Sequence, residues 1–261
     1  MSALRELLTR RLYRFHSVIA NSFDVNHLPH PAYISAYRQA AVLVVLTFRD
    51  DIPRVLLTRR SEQLRRNSGE VSFPGGVRDE PDRTPLDTAV REAYEEIGLH
   101  PTSVNALCSL TPLLTRTKLL YFPAVVTLKP EAETYKYSPN TDEVSFTFEM
   151  PLERFLSSEN MNCMKLKTKG QAGSPGYVYF FQDTPQEVRG ALFDTPEPDT
   201  VVTTYGLTAY VAILVASIAF NRPPTFPFVG YQLPIEPEDY WKVSMDQLKF
   251  MVEYDQKQAK L

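Results

Sequence analysis

Thr84-Pro85-Leu86-Asp87-Thr88-Ala89-Val90-Arg91-Glu92-Ala93-Tyr94-Glu95-Glu96-Ile97-Gly98 is the stretch on which the reading of this chain turns. Its punctuation predicts a helix over 85–97. Thr84 suits the N-cap, Pro85 suits the first helical position, and Asp87 three residues on completes a capping-box-like pattern. Gly98 suits the left-handed position just past the end. Leu86, Ala89, Val90, Ala93 and Ile97 make one apolar stripe for a core. Arg91, Glu92, Glu95 and Glu96 fall on the remaining surface. Glu92 and Glu96 lie about 40° apart around the axis and Glu95 about 60° from Glu92, so three carboxylates crowd one turn. Arg91 stands four residues before Glu95 and can hold it in place.

Like charges at this spacing destabilise a bare helix, and near its C-terminus they also oppose the helix dipole. A hard divalent cation would relieve the repulsion, since Mg²⁺ takes oxygen ligands, commonly one or two carboxylates with water and substrate phosphates. A plain solvated acidic face is the other reading of such a helix. The helix by itself leaves both readings open. Only ten occur in the chain, and four of them, Gly69, Gly75, Gly76 and Gly98, fall within 69–98. Scarce glycines cluster where backbone must bend tightly or approach something closely.

Outward from the helix, Ala40–Phe48 is a continuous apolar run rich in β-branched residues, the pattern of a strand buried on both faces. Arg49–Pro53 reads as a turn and Arg54–Thr58 as the returning strand. Further strands are expected at Val71–Phe73, Leu107–Leu113, Leu120–Leu128, Val144–Phe148 and Tyr177–Gln182, with a short helix after Pro151. Residues 165–176 read as an exposed loop. Strands interleaved with helices imply a mixed α/β layered domain.

Val201–Phe220 is twenty residues without a charge, the length of a bilayer span. Its polar content, with Thr203, Thr204, Tyr205, Thr208 and Ser217, favours a buried core helix instead. At the start, Leu4, Leu7, Leu8, Leu12 and Phe15 recur at helical spacing among Arg5, Arg10, Arg11 and Arg14. That is a surface helix packed on the domain rather than a secretory signal or a mitochondrial presequence. The expected organisation is a helical lead-in over 1–36, a main domain over 37–222, and a tail over 223–261. The tail is proline-rich to Pro237, with a last helix from there.

Composition bounds the function. The 261 residues are 43% apolar and 23% charged, which excludes wholesale disorder. A net charge of −3 offers no global basic field for nucleic acid. Two cysteines and four histidines are too few for a disulfide framework, a thiolate zinc site or a histidine cluster.

Arg91-Glu92-x-x-Glu95-Glu96-x-Gly98-Leu99 behind Gly75-Gly76 resembles the Nudix box, the signature of the Nudix hydrolases, which cleave diphosphates linked to another moiety. By residue frequencies its five fixed positions recur about once in 10⁶ starts. The spacing is one residue longer than usual. Arg83 stands where the box ordinarily has a glutamate, and Asp79, Glu80 and Asp82 are nearby. Upstream, Leu56-Leu57-Thr58-Arg59-Arg60-Ser61, Leu64-Arg65-Arg66 and Gly69-Glu70-Val71-Ser72-Phe73-Pro74-Gly75-Gly76 resemble the extra motif of the coenzyme A diphosphatase subfamily, in which the longer box is also usual. Tyr205-Gly206-Leu207-Thr208-Ala209 is similar to that subfamily's late WGLTA element, with Tyr205 in place of Trp.

The resemblance implies a Nudix fold, an α/β/α sandwich around a mixed sheet. It also implies hydrolysis of CoA and acyl-CoA to 3′,5′-ADP and (acyl-)4′-phosphopantetheine with Mg²⁺ or Mn²⁺. Glu92, Glu96 and Glu95 would hold metal, with Arg91 among the catalytic residues and Glu92 or Glu95 as general base. Glu143 is either a further ligand or base, or an ordinary strand-edge acid. Arg59, Arg60, Arg65 and Arg66 form a local basic patch. Arg59 and Arg65 with Gly75 and Gly76 are the expected substrate-binding residues. Ala259-Lys260-Leu261 resembles the peroxisomal S-K-L address. It implies an import receptor as partner and a peroxisomal location, with cytoplasm or mitochondrion as alternatives. No nucleic-acid partner and no membrane span are expected. Two other functions stay open: a Nudix hydrolase for another nucleoside diphosphate derivative such as NADH or ADP-ribose, and a non-catalytic module that binds CoA or a nucleotide.

Overall fold

The structure, a computed structural model, describes residues 3–22, 37–115, 117–132, 134, 136–169, 175–183 and 201–228. The apolar run becomes β1 (Arg38–Arg49), and a two-residue turn at Asp50 and Asp51 returns it as β2 (Ile52–Arg60). Both turn residues have φ above 0 (50° and 61°), the geometry whose twist suits a two-residue hairpin and which aspartate tolerates.

The hairpin pairs only over Leu46–Arg49 with Ile52–Val55, and then β1 and β2 splay apart. Two short strands fill the fork: β3 (Val71–Ser72) pairs with β2, and β4 (Gly75–Val77) pairs with β1. The far edge of β2 carries β8 (Val144–Pro151). β7 (Leu119–Leu128) runs parallel to β1, and β5 (Val104–Ser109) and β6 (Leu113–Leu114) pair antiparallel to β7. The sheet is therefore mixed.

Alternation along β1 divides the core into two layers. Ala41, Leu43 and Val45 point to the helix α2 (Pro85–Ile97) and meet Ala89, Ala93 and Ile97. Val42, Val44 and Leu46 point to the opposite layer. That layer holds α1 (Ala3–Ser22), through Leu8 and Leu12, and α3 (Gly206–Phe220). A second, three-stranded antiparallel sheet of β9 (Met161–Lys169), β10 (Pro175–Asp183) and β11 (Val202–Tyr205) joins it. This is the expected α/β/α arrangement around a mixed sheet.

Four sequence expectations shift. Residues 165–169 extend β9 and do not form a loop. Leu107–Leu113 divides between β5 and β6. Val201–Phe220 is a strand followed by a helix, because Thr203, Thr204 and Tyr205 favour extended backbone and Gly206 turns the chain at φ 63°. Of the α1 stripe, Leu8 and Leu12 are buried while Leu4 and Leu7 are exposed. No helix among the described residues is long and apolar enough to cross a membrane. The short helix after Pro151 is the 3₁₀ segment Leu152–Leu156. The helix expected from Pro237 lies outside the described residues.

The α2 caps form as the sequence dictates. The Asp87 amide donates to Thr84 Oγ1 (3.1 Å), and the Thr84 amide donates to Asp87 Oδ2 (2.9 Å). Gly98 closes the helix at φ 70°. Thr84→Ala removes half of the reciprocal cap and is expected to cost about 1 kcal/mol, read as a lower midpoint in urea unfolding with an unchanged slope.

Candidate active site

The fork in the sheet sets the site. Phe73 is buried, and the Leu43 amide donates to the Pro74 carbonyl (2.8 Å), so the chain enters β4 pressed against β1. A Cβ on Gly75 would sit 2.3 Å from the Ala41 carbonyl oxygen, and the residue is at φ 153°. A Cβ on Gly76 would sit 2.5 Å from the Glu92 carboxyl carbon. Gly75 thus lets β4 close onto β1, and Gly76 lets the Glu92 carboxylate of α2 lie against backbone. The Gly75 amide donates to Glu96 Oε2 (3.1 Å).

Arg91 organises the rest. Its Nε and Nη2 donate to the two oxygens of Asp82 (3.1 and 3.0 Å). Nη2 also donates to the Val77 carbonyl (3.0 Å), and Nη1 donates to Glu95 Oε2 (3.0 Å). Glu92 Oε1 is 3.1 Å from Nη2. Asp82 is buried, and its second oxygen also accepts from the Asp79 amide (3.0 Å). These bonds to the charged form hold the Asp82 carboxyl at about 2, the arginine contributing most.

Glu96 shows the opposite balance. It is 3% exposed, and burial pushes its carboxyl up to about 8. The Gly75 amide and Arg60, whose Nη1 is 3.7 Å from Oε1, pull it back only in part. Glu92 is also raised, chiefly by burial, and Glu95 and Glu143 add repulsion. Glu143 reaches this site from the loop before β8. Its charge raises both Glu92 and Glu96, and its carbonyl accepts from the Ser61 amide (2.8 Å).

Of the basic patch, the structure brings Arg60 to the carboxylates rather than Arg59. Arg59 pairs with Glu62 (2.8 Å) and lies over the Phe146 ring, 5.8 Å from its centroid, in the opposite layer. Arg65 and Arg66 are exposed on the loop between β2 and β3. Sequence reasoning missed two roles. Asp82 anchors Arg91, and Arg60 is the cation facing Glu96. Strand parity could have found the second: Arg60 shares the α2 face with Leu56, whereas Arg59 shares the other with Leu57. The Tyr205–Ala209 element packs on the same loop region. Thr208 Oγ1 donates to the Val71 carbonyl (3.2 Å). Tyr205 hydrogen-bonds Glu70, and burial with that bond pushes its phenol up to about 12. Ala259, Lys260 and Leu261 lie outside the described residues.

Among the described residues no three acidic, histidine or cysteine side chains close into a ready cation cage. What lies together is Glu92 and Glu96, both raised chiefly by burial, with Glu143 adding to both. Hard oxygen donors under mutual repulsion, short of a full ligand set, fit Mg²⁺ or Mn²⁺ completed by water and phosphate oxygens.

Residues 37–163 match the family model described as the NUDIX domain. The chain is 34% identical over 191 residues to the peroxisomal coenzyme A diphosphatase NUDT7 of Mus musculus, covering 71% of this chain and 72% of that one. It is 37% identical over 190 residues to the mitochondrial Nudix hydrolase 15 of Arabidopsis thaliana, covering 72% of this chain and 61% of that one. It is 39% identical over 149 residues to the uncharacterized Nudix hydrolase NudL of Pectobacterium atrosepticum, covering 57% and 76%. The alignment thus spans about three fifths of the plant relative's length. With this breadth of similarity, and with the box residues assembled as described, the chain belongs to the Nudix hydrolase family.

Two outcomes follow. Asp82→Asn is expected to lower stability at neutral pH by roughly 1–3 kcal/mol, because a buried charge-assisted pair with Arg91 is lost. Asp82 is lowered in the folded state, so its stabilisation is present above about pH 4 and lost as pH falls toward 2. In Asp82→Asn that part of the acid limb flattens in a melting-temperature series. Gly76→Ala forces the Glu92 carboxylate aside and is expected to cut turnover about 100-fold with the fold retained, measured by steady-state kinetics beside circular dichroism.

Proposed function

We propose that this chain is a working hydrolase of nucleoside diphosphate derivatives, and that its substrate is CoA or acyl-CoA, cut to 3′,5′-ADP and (acyl-)4′-phosphopantetheine. The observation that carries the reading is the place of Arg60. The Leu56–Gly76 motif, which resembles that of CoA diphosphatases, delivers this guanidinium onto the carboxylate helix at Glu96. The same motif supplies the Gly75 amide that holds Glu96. The likeness to the mouse CoA diphosphatase supports the same substrate.

In this reading Glu92 and Glu96 hold Mg²⁺ or Mn²⁺, which when bound supplies charge neutralisation for the diphosphate and a more acidic water. The protein's own groups do the remainder. Arg91 fixes Glu92 and Glu95 from one guanidinium, so either carboxylate is oriented to take a proton from the attacking water. Glu143 is a third candidate for that proton or for a further ligand position. Arg60 turns to a phosphate oxygen of the substrate, and Arg65, exposed on its loop, meets the 3′-phosphate. Arg59, engaged by Glu62, contributes less to binding than Arg60 does. A peroxisomal location and an import receptor reading Ala259-Lys260-Leu261 belong to the same proposal. Masking that tripeptide with a C-terminal tag should then redistribute the protein in cells.

A panel of CoA, acyl-CoA thioesters, NADH and ADP-ribose with the purified chain and Mg²⁺, products identified by mass, tests the substrate. Expected is a kcat/KM for CoA or an acyl-CoA at least ~10-fold above NADH and ADP-ribose, a gap a single well-placed contact can supply. A reversed ranking refutes the assignment, and turnover undiminished by chelator refutes the metal. Glu92→Gln is expected to lower turnover by about 10³-fold or more while leaving the melting temperature within about 2 °C.

A further inference from the structure

Tyr205–Ala209 lies beyond residue 163, where the family match ends, yet it reaches the segment that carries Arg60. Arg60 has little to fix its side chain. Its Nη1 stands 3.7 Å from Glu96, beyond hydrogen-bond length, and among the described residues its buried Nε has no hydrogen-bond partner. The direction of the guanidinium is therefore set by the backbone beneath it. On the β8 side that backbone is weakly held. The ladder slips between Arg59 and Arg60, a break that locally disrupts pairing, and Ser145 Oγ supplies one donor to the Arg60 carbonyl (3.3 Å). On the other side the Arg60 amide donates to the Glu70 carbonyl (3.0 Å), and the Gly69 amide donates to the Arg60 carbonyl (3.2 Å).

Glu70 needs support to serve as that anchor. The chain leaves β2 and runs through residues 62–68 with all but Leu64 exposed. It returns at Gly69 and Glu70 into β3, a strand of only two residues. The 205–209 element supplies the support. The Tyr205 phenol hydrogen-bonds the Glu70 side chain, and Thr208 Oγ1 donates to the carbonyl of the next residue, Val71 (3.2 Å). Both donors are themselves well held. Tyr205 is the cross-strand partner of Phe180, and their rings stack 5.6 Å apart with 18° between the planes. Thr208 is buried in the first turn of α3. The root of the exposed loop is thus tied to the corner where β11 becomes α3.

We propose that Tyr205 is a positioning residue: through Glu70 it holds the Arg60 backbone so that the guanidinium meets a phosphate oxygen of the substrate. The inference rests on the reading of Arg60 as a phosphate contact and deepens it. A small displacement of a directed, charge-assisted donor forfeits much of its value, so one phenol acts on affinity from outside the site.

Titration calorimetry of the full chain with inorganic pyrophosphate and Mg²⁺ tests this without turnover. Arg60→Met is expected to weaken binding about 10-fold or more, the loss of a charge-assisted hydrogen bond. Tyr205→Phe keeps the ring stack and removes only the phenol oxygen; it is expected to weaken binding about 3–10-fold. Added to Arg60→Met, it is expected to cost less than about 2-fold more, because both changes remove the same contact. A phenol that served stability alone would lower the melting temperature without moving the affinity. Should Tyr205→Phe fail to fold, Thr208→Val, which releases the adjoining Val71 carbonyl, carries the test with the same expectations. The proposal is overturned if the variant binds pyrophosphate as the wild type does, or if its effect is undiminished beside Arg60→Met. Pyrophosphate binding that is absent from the wild type, or indifferent to Arg60→Met, overturns the phosphate role of Arg60 and the positioning role with it. The choice of CoA is judged separately, by the substrate panel.

Discussion

At Gly75 and Gly76 there is no room for a side chain, and the architecture of the site depends on that. β1 and β2 splay, the inserted strands fill the gap, and the helix descends until its carboxylates rest on bare backbone. A side chain at Gly75 would meet the β1 backbone, and one at Gly76 would displace the Glu92 carboxyl. Close approach alone would not fix the helix azimuth. Arg91 does that by bonding the Val77 carbonyl of β4 and the buried Asp82 together, so sheet, connecting loop and helix share one guanidinium.

Two buried carboxylates respond to burial in opposite ways. Asp82 is surrounded by donors to its charged form, and these outweigh the cost of leaving water. Glu96 is as deeply placed but has one amide and an arginine standing beyond hydrogen-bond length, so desolvation prevails. The contrast separates an acid held charged by its donors from one that burial holds toward its neutral form. Asp82 is satisfied by the protein, whereas Glu96 and Glu92 retain unmet demand for positive charge.

Much of this was legible in residues 40–99. A run buried on both faces can only be an interior strand, and a threonine–proline start with a glycine stop bounds α2 closely. The nearness of Glu92 to Glu96 followed from helical angles, while Glu95 stays at the surface against Arg91. What escaped was set by three-dimensional parity and by local insertion. Adjacent arginines on β2 point to opposite layers, and composition does not say which layer carries the helix. Asp82 sits one residue off the usual spacing, so only the folded loop shows it taking Arg91. The uncharged stretch 201–220 hides a change from strand to helix because no charge or proline marks the junction at Gly206. The Lys165–Lys169 end of β9 has too little apolar signal to advertise a strand.

The family match ends at residue 163, yet the core does not. Leu8 and Leu12 from α1, and Val211, Ile213 and Val215 from α3, lie in the same cluster as Val42 and Val44 of the central sheet. Arg11 donates to the Ala219 carbonyl, which ties the last turn of α3 to α1. The matched span 37–163 therefore shares its core with segments on both sides of it. Trimming to the matched borders would take away the cover that α1 and α3 give one side of the sheet and leave that greasy underside wet, so the matched span and the mechanical unit here do not coincide.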